Sequence, residues 1–139
     1  RTLDMMLGAL NCPFGTGHMG VTAENVAAEH DVSRAEQDAF AMTSQTRAAA
    51  AIRDGRFEDQ ITPVSVKVKR DKVDFICDEH PKQTDEAALA GLRPVFQKDG
   101  SVTAGNASGI NDGAAALVLA QASAAQMAGL RPRARVLGF

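Results

Sequence analysis

Apolar positions change period several times along the chain, and each change marks an element. Leu3, Met6, Leu7 and Leu10 recur at helical spacing and predict a short amphipathic helix at the start. Residues 11–17, with Pro13 and two glycines, read as a loop. Thr22 is placed to cap a helix over 23–29. Ser33 and Glu36 form a capping box for a long helix from Arg34 to about Asp54, with Gly55 as its C′ residue. Ala39, Met42, Ala49 and Ile52 fall near helical spacing, so this alanine-rich helix is expected to pack closely against a neighbour. Past Pro63 the period drops to two. Val64, Val66 and Val68 alternate with Ser65, Lys67 and Lys69, residues 70–72 turn, and Val73, Phe75 and Cys77 alternate again. That is a half-buried hairpin. Thr84 is placed to cap a short helix over 85–90 that Gly91 ends. Pro94 interrupts 92–96, and Lys98-Asp99-Gly100 turns into a short strand at 101–104. The uninterrupted apolar run 114–120 predicts a strand buried on both faces. Ser123 opens a helix to Ala128 that Gly129 stops, and 134–139 is strand-like again.

Between the strand at 101–104 and the apolar run lies Gly105-Asn106-Ala107-Ser108-Gly109-Ile110-Asn111-Asp112-Gly113. Its three glycines, two asparagines, aspartate and serine tolerate positive φ or bond their own backbone. Such a crossing lets a ligand lie close to the main chain, with amides and Ser108 as donors. Composition alone equally describes a tight connection with no ligand. Asn106, Asn111 and Asp112 are expected to bond the loop backbone and so hold Ser108 in place.

Composition narrows the class. A chain of 139 residues is one domain's worth, and its 45% hydrophobic content is that of an ordinary globular protein. Trp and Tyr are absent, so the core is expected to be built from aliphatic residues and Met. A net charge of −2 lacks the basic excess of a nucleic-acid footprint. The cluster Lys67, Lys69, Arg70 and Lys72 reads as the solvated face of the hairpin. Two cysteines, Cys12 and Cys77, are too few for a disulfide framework and suggest a reducing compartment. No apolar run approaches the roughly 20 residues of a membrane helix, and no signal peptide opens the chain, so a cytoplasmic protein is the expectation. The chain begins at Arg1 and stops at Phe139 without polar tails, as a piece of something longer would.

Two short motifs are set aside. Gly15-Thr16-Gly17-His18-Met19-Gly20 satisfies G-x-G-x-x-G, but that fingerprint needs a preceding strand, and Asn11-Cys12-Pro13 does not read as one. Cys12, His18, Cys77 and His80 have no compact metal-ligand spacing. Cys77 reads as a small core hydrophobe. Cys12 sits in a loop, and a nucleophilic role would need a cation or His beside it.

Thr103-Ala104-Gly105-Asn106-Ala107-Ser108-Gly109-Ile110-Asn111-Asp112-Gly113-Ala114-Ala115-Ala116 resembles the internal signature of the thiolases, the acetyl-CoA acetyltransferase and β-ketothiolase family. His18-Met19-Gly20-Val21-Thr22-Ala23-Glu24-Asn25-Val26-Ala27 is similar to a second family stretch. Ser33-Arg34-Ala35-Glu36-Gln37-Asp38-Ala39-Phe40-Ala41 and Leu92-Arg93-Pro94-Val95-Phe96 follow in the family's order and spacing.

The resemblance implies an α/β, thiolase-like layered fold. Residues 1–110 would form the CoA-binding loop domain, 111–131 the last strand and helix of the N-terminal core domain, and 132–139 the start of the C-terminal domain. It implies an acyltransferase that condenses two acetyl-CoA to acetoacetyl-CoA, or thiolyses 3-ketoacyl-CoA, through a cysteine-bound acyl group. The catalytic cysteines and activating histidine would lie outside this chain, since neither Cys12 nor Cys77 sits in the matching context. By the same resemblance Ser108 contacts the pantetheine arm, Ala104 and Ala107 keep its wall small, and His18 and Met19 line the inner end near the thioester. Leu10, Phe96 and Ile110 would be apolar wall, and Lys82 would meet a phosphate at the adenine end, where the family often has arginine. His30 is expected to be a helix-end residue, and His80, beside Pro81, a structural one. No resident cofactor is implied, because coenzyme A enters as substrate. The implied assembly is a dimer or tetramer, with no nucleic acid or membrane partner. A stand-alone, non-catalytic CoA-binding module is the competing reading, because the chain has binding residues and no nucleophile.

Overall fold

The computed structural model describes residues 4–138, and the chain divides into two compact units, Arg1–Gly109 and Ile110–Phe139. The first unit opens with α1 (Met5–Leu10), capped by the Asp4 carboxylate, which accepts from the Met6 and Leu7 amides. Leu3, one of the four expected apolar positions of that helix, lies outside the described residues.

The expected loop at 11–17 is a tight antiparallel pair instead. β1 (Asn11–Cys12) runs against β2 (Gly17–His18), with Asn11 opposite His18 and Cys12 opposite Gly17. Pro13 falls in the turn, where no ladder donor is needed. Gly15 at φ 91° and Gly17 at φ 85° supply the left-handed backbone that closes it. α2 (Met19–Glu29) then starts earlier than a Thr22 cap would allow, because His18 caps it.

α3 (Arg34–Arg53) has the expected capping box: Ser33 and Glu36 satisfy each other's amides at 2.8 and 3.3 Å. Its C-terminus closes on Gly55, at φ 67°. The Gly55 amide bonds the Ile52 carbonyl and the Arg56 amide the Ala51 carbonyl, the pair of bonds that defines a Schellman ending. The face that turns inward differs from the expected one. Ala39, Ala49 and Ile52 are exposed, whereas Arg34, Gln37, Asp38, Ala41 and Gln45 are covered to differing degrees, and only Asp38 is buried. The helix is oriented by polar bonds, not by an apolar stripe.

A 3₁₀ turn (Glu58–Gln60) leads to the hairpin of β3 (Val64–Val68) and β4 (Asp71–Phe75), in which Val64 faces Phe75 and Val66 faces Val73. Its turn is Lys69-Arg70, with Lys69 at φ 57°, one residue earlier than the pattern suggested. Cys77 lies beyond β4 and is exposed, so it is not a core residue. Only Val66 is even half-buried, because among the described residues the hairpin pairs with nothing but itself. α4 (Glu86–Ala90) is capped by Asp85 in place of Thr84, and ends at Gly91 as expected.

Buried aliphatic residues in the described part of this unit are Leu89 and Val102; Glu24, Asp38 and Thr103 are buried with them. The expected strand at 101–104 is reduced to one bridge between Pro94 and Thr103 and a Val95–Val102 backbone bond of 3.0 Å. Proline has no amide proton to extend that ladder.

In the second unit the expected strand at 114–120 is not formed. Leu117, Val118 and Leu119 are 90, 90 and 81% exposed. A strand is made by its neighbour's hydrogen bonds, and the described residues offer this run no neighbour. α5 (Ala122–Met127) does form, and closes on Gly129 at φ 66° with bonds from Gly129 to Gln126 and from Leu130 to Ala125. Residues 134–138 form no strand, and Phe139 lies outside the described residues. No helix among the described residues is long and apolar enough to cross a membrane.

Candidate functional site

Two bonding systems shape the segment that leads to Ser108. The first comes from α2. Glu24, 6% exposed, accepts from the Ser101 amide at 2.8 Å, the Ser101 hydroxyl at 3.0 Å and the Val102 amide at 2.9 Å. Burial pushes its carboxyl up, but the Ser101 and Val102 amides and the Ser101 hydroxyl outweigh that and hold it below the usual range. Gly100 is needed beside it, because a Cβ there would overlap the Glu24 carboxylate.

The second system comes from α3. Arg34 Nε donates to one carboxylate oxygen of Asp38 at 2.7 Å, and its terminal nitrogen donates to the Leu89 and Leu92 carbonyls at 2.7 and 3.1 Å. The other Asp38 oxygen accepts from Asn106 Nδ2 at 3.0 Å. Asn106 also donates to the Ser101 carbonyl and accepts from the Thr103 amide at 2.8 Å, the self-bonding role expected of it. Gly105 sits where a Cβ would come within 2.6 Å of both Leu89 and Leu92. Asn111 and Asp112 belong to the second unit and are exposed.

Ser108 emerges from this framework exposed, and Ala107 half-buried. With Gly105 and Asn106 they line a groove of about 260 Å³ against Phe40, Ser44, Gln45 and Ala48 of α3, and His80 and Pro81 close it. Lys82 is exposed next to that closure, where its amide donates to Gln45 Oε1 at 3.0 Å. Methyl, hydroxyl and amide groups on the wall leave room for a thin chain carrying hydrogen-bonding amides. A second groove, of about 360 Å³ between Phe57 and the hairpin, shares no residue with it.

His18 and Phe96 meet elsewhere in the unit. Their rings stack at 4.9 Å and 25°, over Gly20, where any Cβ would overlap the Phe96 ring. His18 Nδ1 accepts from the Gly20 amide at 3.0 Å. That bond requires Nδ1 unprotonated, so in the neutral ring Nε2 carries the proton and is the available donor. Met19 is 56% exposed beside it, and Leu10 is half-buried. None of Leu10, His18, Met19, Phe96 or Ala104 lines the Ser108 groove. Ile110 is in the second unit, 70% exposed.

The Thr16 hydroxyl and the Phe14 and Thr16 amides hold the Cys12 thiol below its usual value. In β1–β2, however, Cys12 faces Gly17 while His18 faces Asn11, so the two side chains leave opposite faces of the pair. The His18 nitrogen on its own strand end is taken up in capping, and no thiol–imidazole pair forms. No cluster of three or more metal-ligating side chains occurs among the described residues.

Sequence reading passed over Glu24, Asp38, Phe40 and Gln45. One signal was available: Arg34 and Asp38 stand at i and i+4, the spacing of a helical ion pair. Their shared partners lie 55 to 68 residues away, which no local pattern reveals.

The thiolase N-terminal domain model matches residues 1–123. The chain is 52% identical over 139 residues to a β-ketothiolase of Cupriavidus necator, covering 99% of this chain and 35% of that protein. Human mitochondrial 3-ketoacyl-CoA thiolase superposes with a TM-score of 0.76 at 42% identity, over 93% of this chain and 33% of the other. The same human enzyme in complex with CoA superposes with a TM-score of 0.67, also at 42% identity, over 77% of this chain and 26% of that one. These helices, hairpin and glycine-rich loop are therefore part of a thiolase-like α/β fold. The chain belongs to the thiolase family. It spans about a third of the length of the curated relatives it matches.

Proposed function

We propose that this chain supplies the coenzyme A-binding segment of a thiolase, an acyltransferase that joins two acetyl-CoA into acetoacetyl-CoA or cleaves a 3-ketoacyl-CoA with CoA. The observation that carries the reading is the small-walled groove at Ala107 and Ser108, braced from two helices, in a chain of this family. Superposition on a human thiolase in complex with CoA supports it. In this reading Ser108 and the loop amides take the amides of the pantetheine arm, with Ala104 and Ala107 keeping its path open. His18, through Nε2–H, and Met19 face the thioester end, with Leu10, Phe96 and Ile110 as apolar wall. Lys82 offers a charge, without arginine's flat fork, to a phosphate. The thiolate that takes up the acyl group, and the groups that move protons to and from it, come from other segments. The enzyme works in the cytoplasm as a dimer or tetramer.

Cleavage of acetoacetyl-CoA by the full-length enzyme, wild type and with each cysteine replaced, tests this division of labour. Cys12→Ser and Cys77→Ser are expected to keep turnover within about threefold, since neither would meet a reacting atom. A loss of several hundredfold in a folded variant of either would place the nucleophile here and overturn it.

A further inference from the structure

We infer that Asp38 is a positioning residue for acyl-CoA binding, acting through Asn106 on the loop that carries Ser108. The inference rests on the proposed CoA site and adds to it a residue that touches no substrate. Asp38 is the one buried residue of α3 among the described residues, on a helix whose other side chains are mostly exposed. Its carboxylate is divided between two tasks. One oxygen is held by Arg34, itself tied to the carbonyls of Leu89 and Leu92 on either side of the α4 terminus. The other oxygen takes Asn106 Nδ2.

Asn106 in turn grips both sides of its own turn, donating to the Ser101 carbonyl and accepting from the Thr103 amide. The Ala107 amide bonds the Thr103 carbonyl at 3.1 Å, which carries the same order one residue further, up to Ser108. Asp38 is thus the link between the rigid helix and a loop whose own residues are glycine, alanine and serine. Without it the Asn106 amide has no fixed anchor outside the turn. Ser108 then samples more positions, and ordering it falls on the binding step. The chemistry step, which uses none of these groups, is left alone. The expected signature is therefore weaker substrate binding at unchanged turnover.

The test is a steady-state cycle in the full-length enzyme with acetoacetyl-CoA and CoA: Asp38→Ala, Asn106→Ala, the double variant, and Ser108→Trp as control. Each single variant is expected to raise KM about tenfold with kcat within about twofold. The double variant should do no worse than the worse single, because both cut one linkage. Multiplying effects in the double variant, or a fall in kcat with KM unchanged, would overturn the inference. If Asp38→Ala does not fold, an exchange carries the test. Asn106→Asp alone sets two carboxylates against each other and is expected to raise KM more than tenfold or so. Adding Asp38→Asn restores a donor–acceptor pair and should recover most of that loss; no recovery would overturn the inference. Ser108→Trp separates the two levels. If it leaves KM unchanged, the CoA site itself is misplaced; if it destroys binding while the Asp38 and Asn106 variants bind normally, only the positioning role fails.

Discussion

At the scale of single residues, the first unit is organised by a charge that a hydrophobicity pattern would place on the surface. Glu24 is buried and saturated by three donors from 101–102. Replacing it by alanine strands the Ser101 and Val102 amides and is expected to cost about 3 kcal/mol in chemical denaturation. The pH dependence has a definite sign. The folded carboxyl titrates below its ordinary value, so the unfolded chain binds the proton first as pH falls. Glu24's contribution is complete above the unfolded value and drains away as pH drops through the depressed folded one. The stability gap between wild type and Glu24→Ala should therefore be full at about pH 7 and much smaller at about pH 3. An equal gap at both would contradict the assignment. Ser108 and His18 could be picked out from sequence because glycine-rich and His-Met-Gly contexts are local. Glu24 could not, because its partners are 77 and 78 residues away.

Among the elements, whatever depends on neighbours in sequence was readable. The Ser33–Glu36 box, the helix endings at Gly55, Gly91 and Gly129, and the Val64–Phe75 pairing all appear where the residue types call for them. Gly55 carries a sharp expectation. At φ 67° an alanine would be strained, and its Cβ would press the Glu58 carboxylate at 2.9 Å. Gly55→Ala is expected to destabilise by about 1–2 kcal/mol, read as a lower denaturation midpoint with unchanged slope. An unchanged midpoint would mean that the Schellman ending does not set the end of α3. The misreadings have a common cause. Cys77 was placed in a core by alternation, and 114–120 in a strand by hydrophobicity, but alternation and hydrophobicity describe what a segment can bury, not what is there to bury it. His18 was weighed as ligand against structural residue, and the fold gives it a structural task at Nδ1 while leaving Nε2 free to donate.

For the whole molecule, the exposed apolar residues and the covered polar ones are two sides of one fact. Leu117, Val118, Phe75 and Ile76 have no cover among the described residues, while Glu24, Asp38 and Thr103 form a buried framework. That framework brings Gly105 to Ser108 against α3 from distant parts of the sequence. The family explains why such a loop exists, and the bonding explains how it keeps its shape. The central claim is that the groove at Ser108 receives the pantetheine arm of coenzyme A. Calorimetric titration of CoA into the full-length enzyme, wild type against Ser108→Trp, addresses it most directly. Ser108 is exposed, so the substitution should leave the thermal midpoint within a degree or two or so. Saturable binding by the wild type, lost in a Ser108→Trp variant of unchanged melting behaviour, is the predicted result. Equal affinity in the two proteins would put the pantetheine path elsewhere.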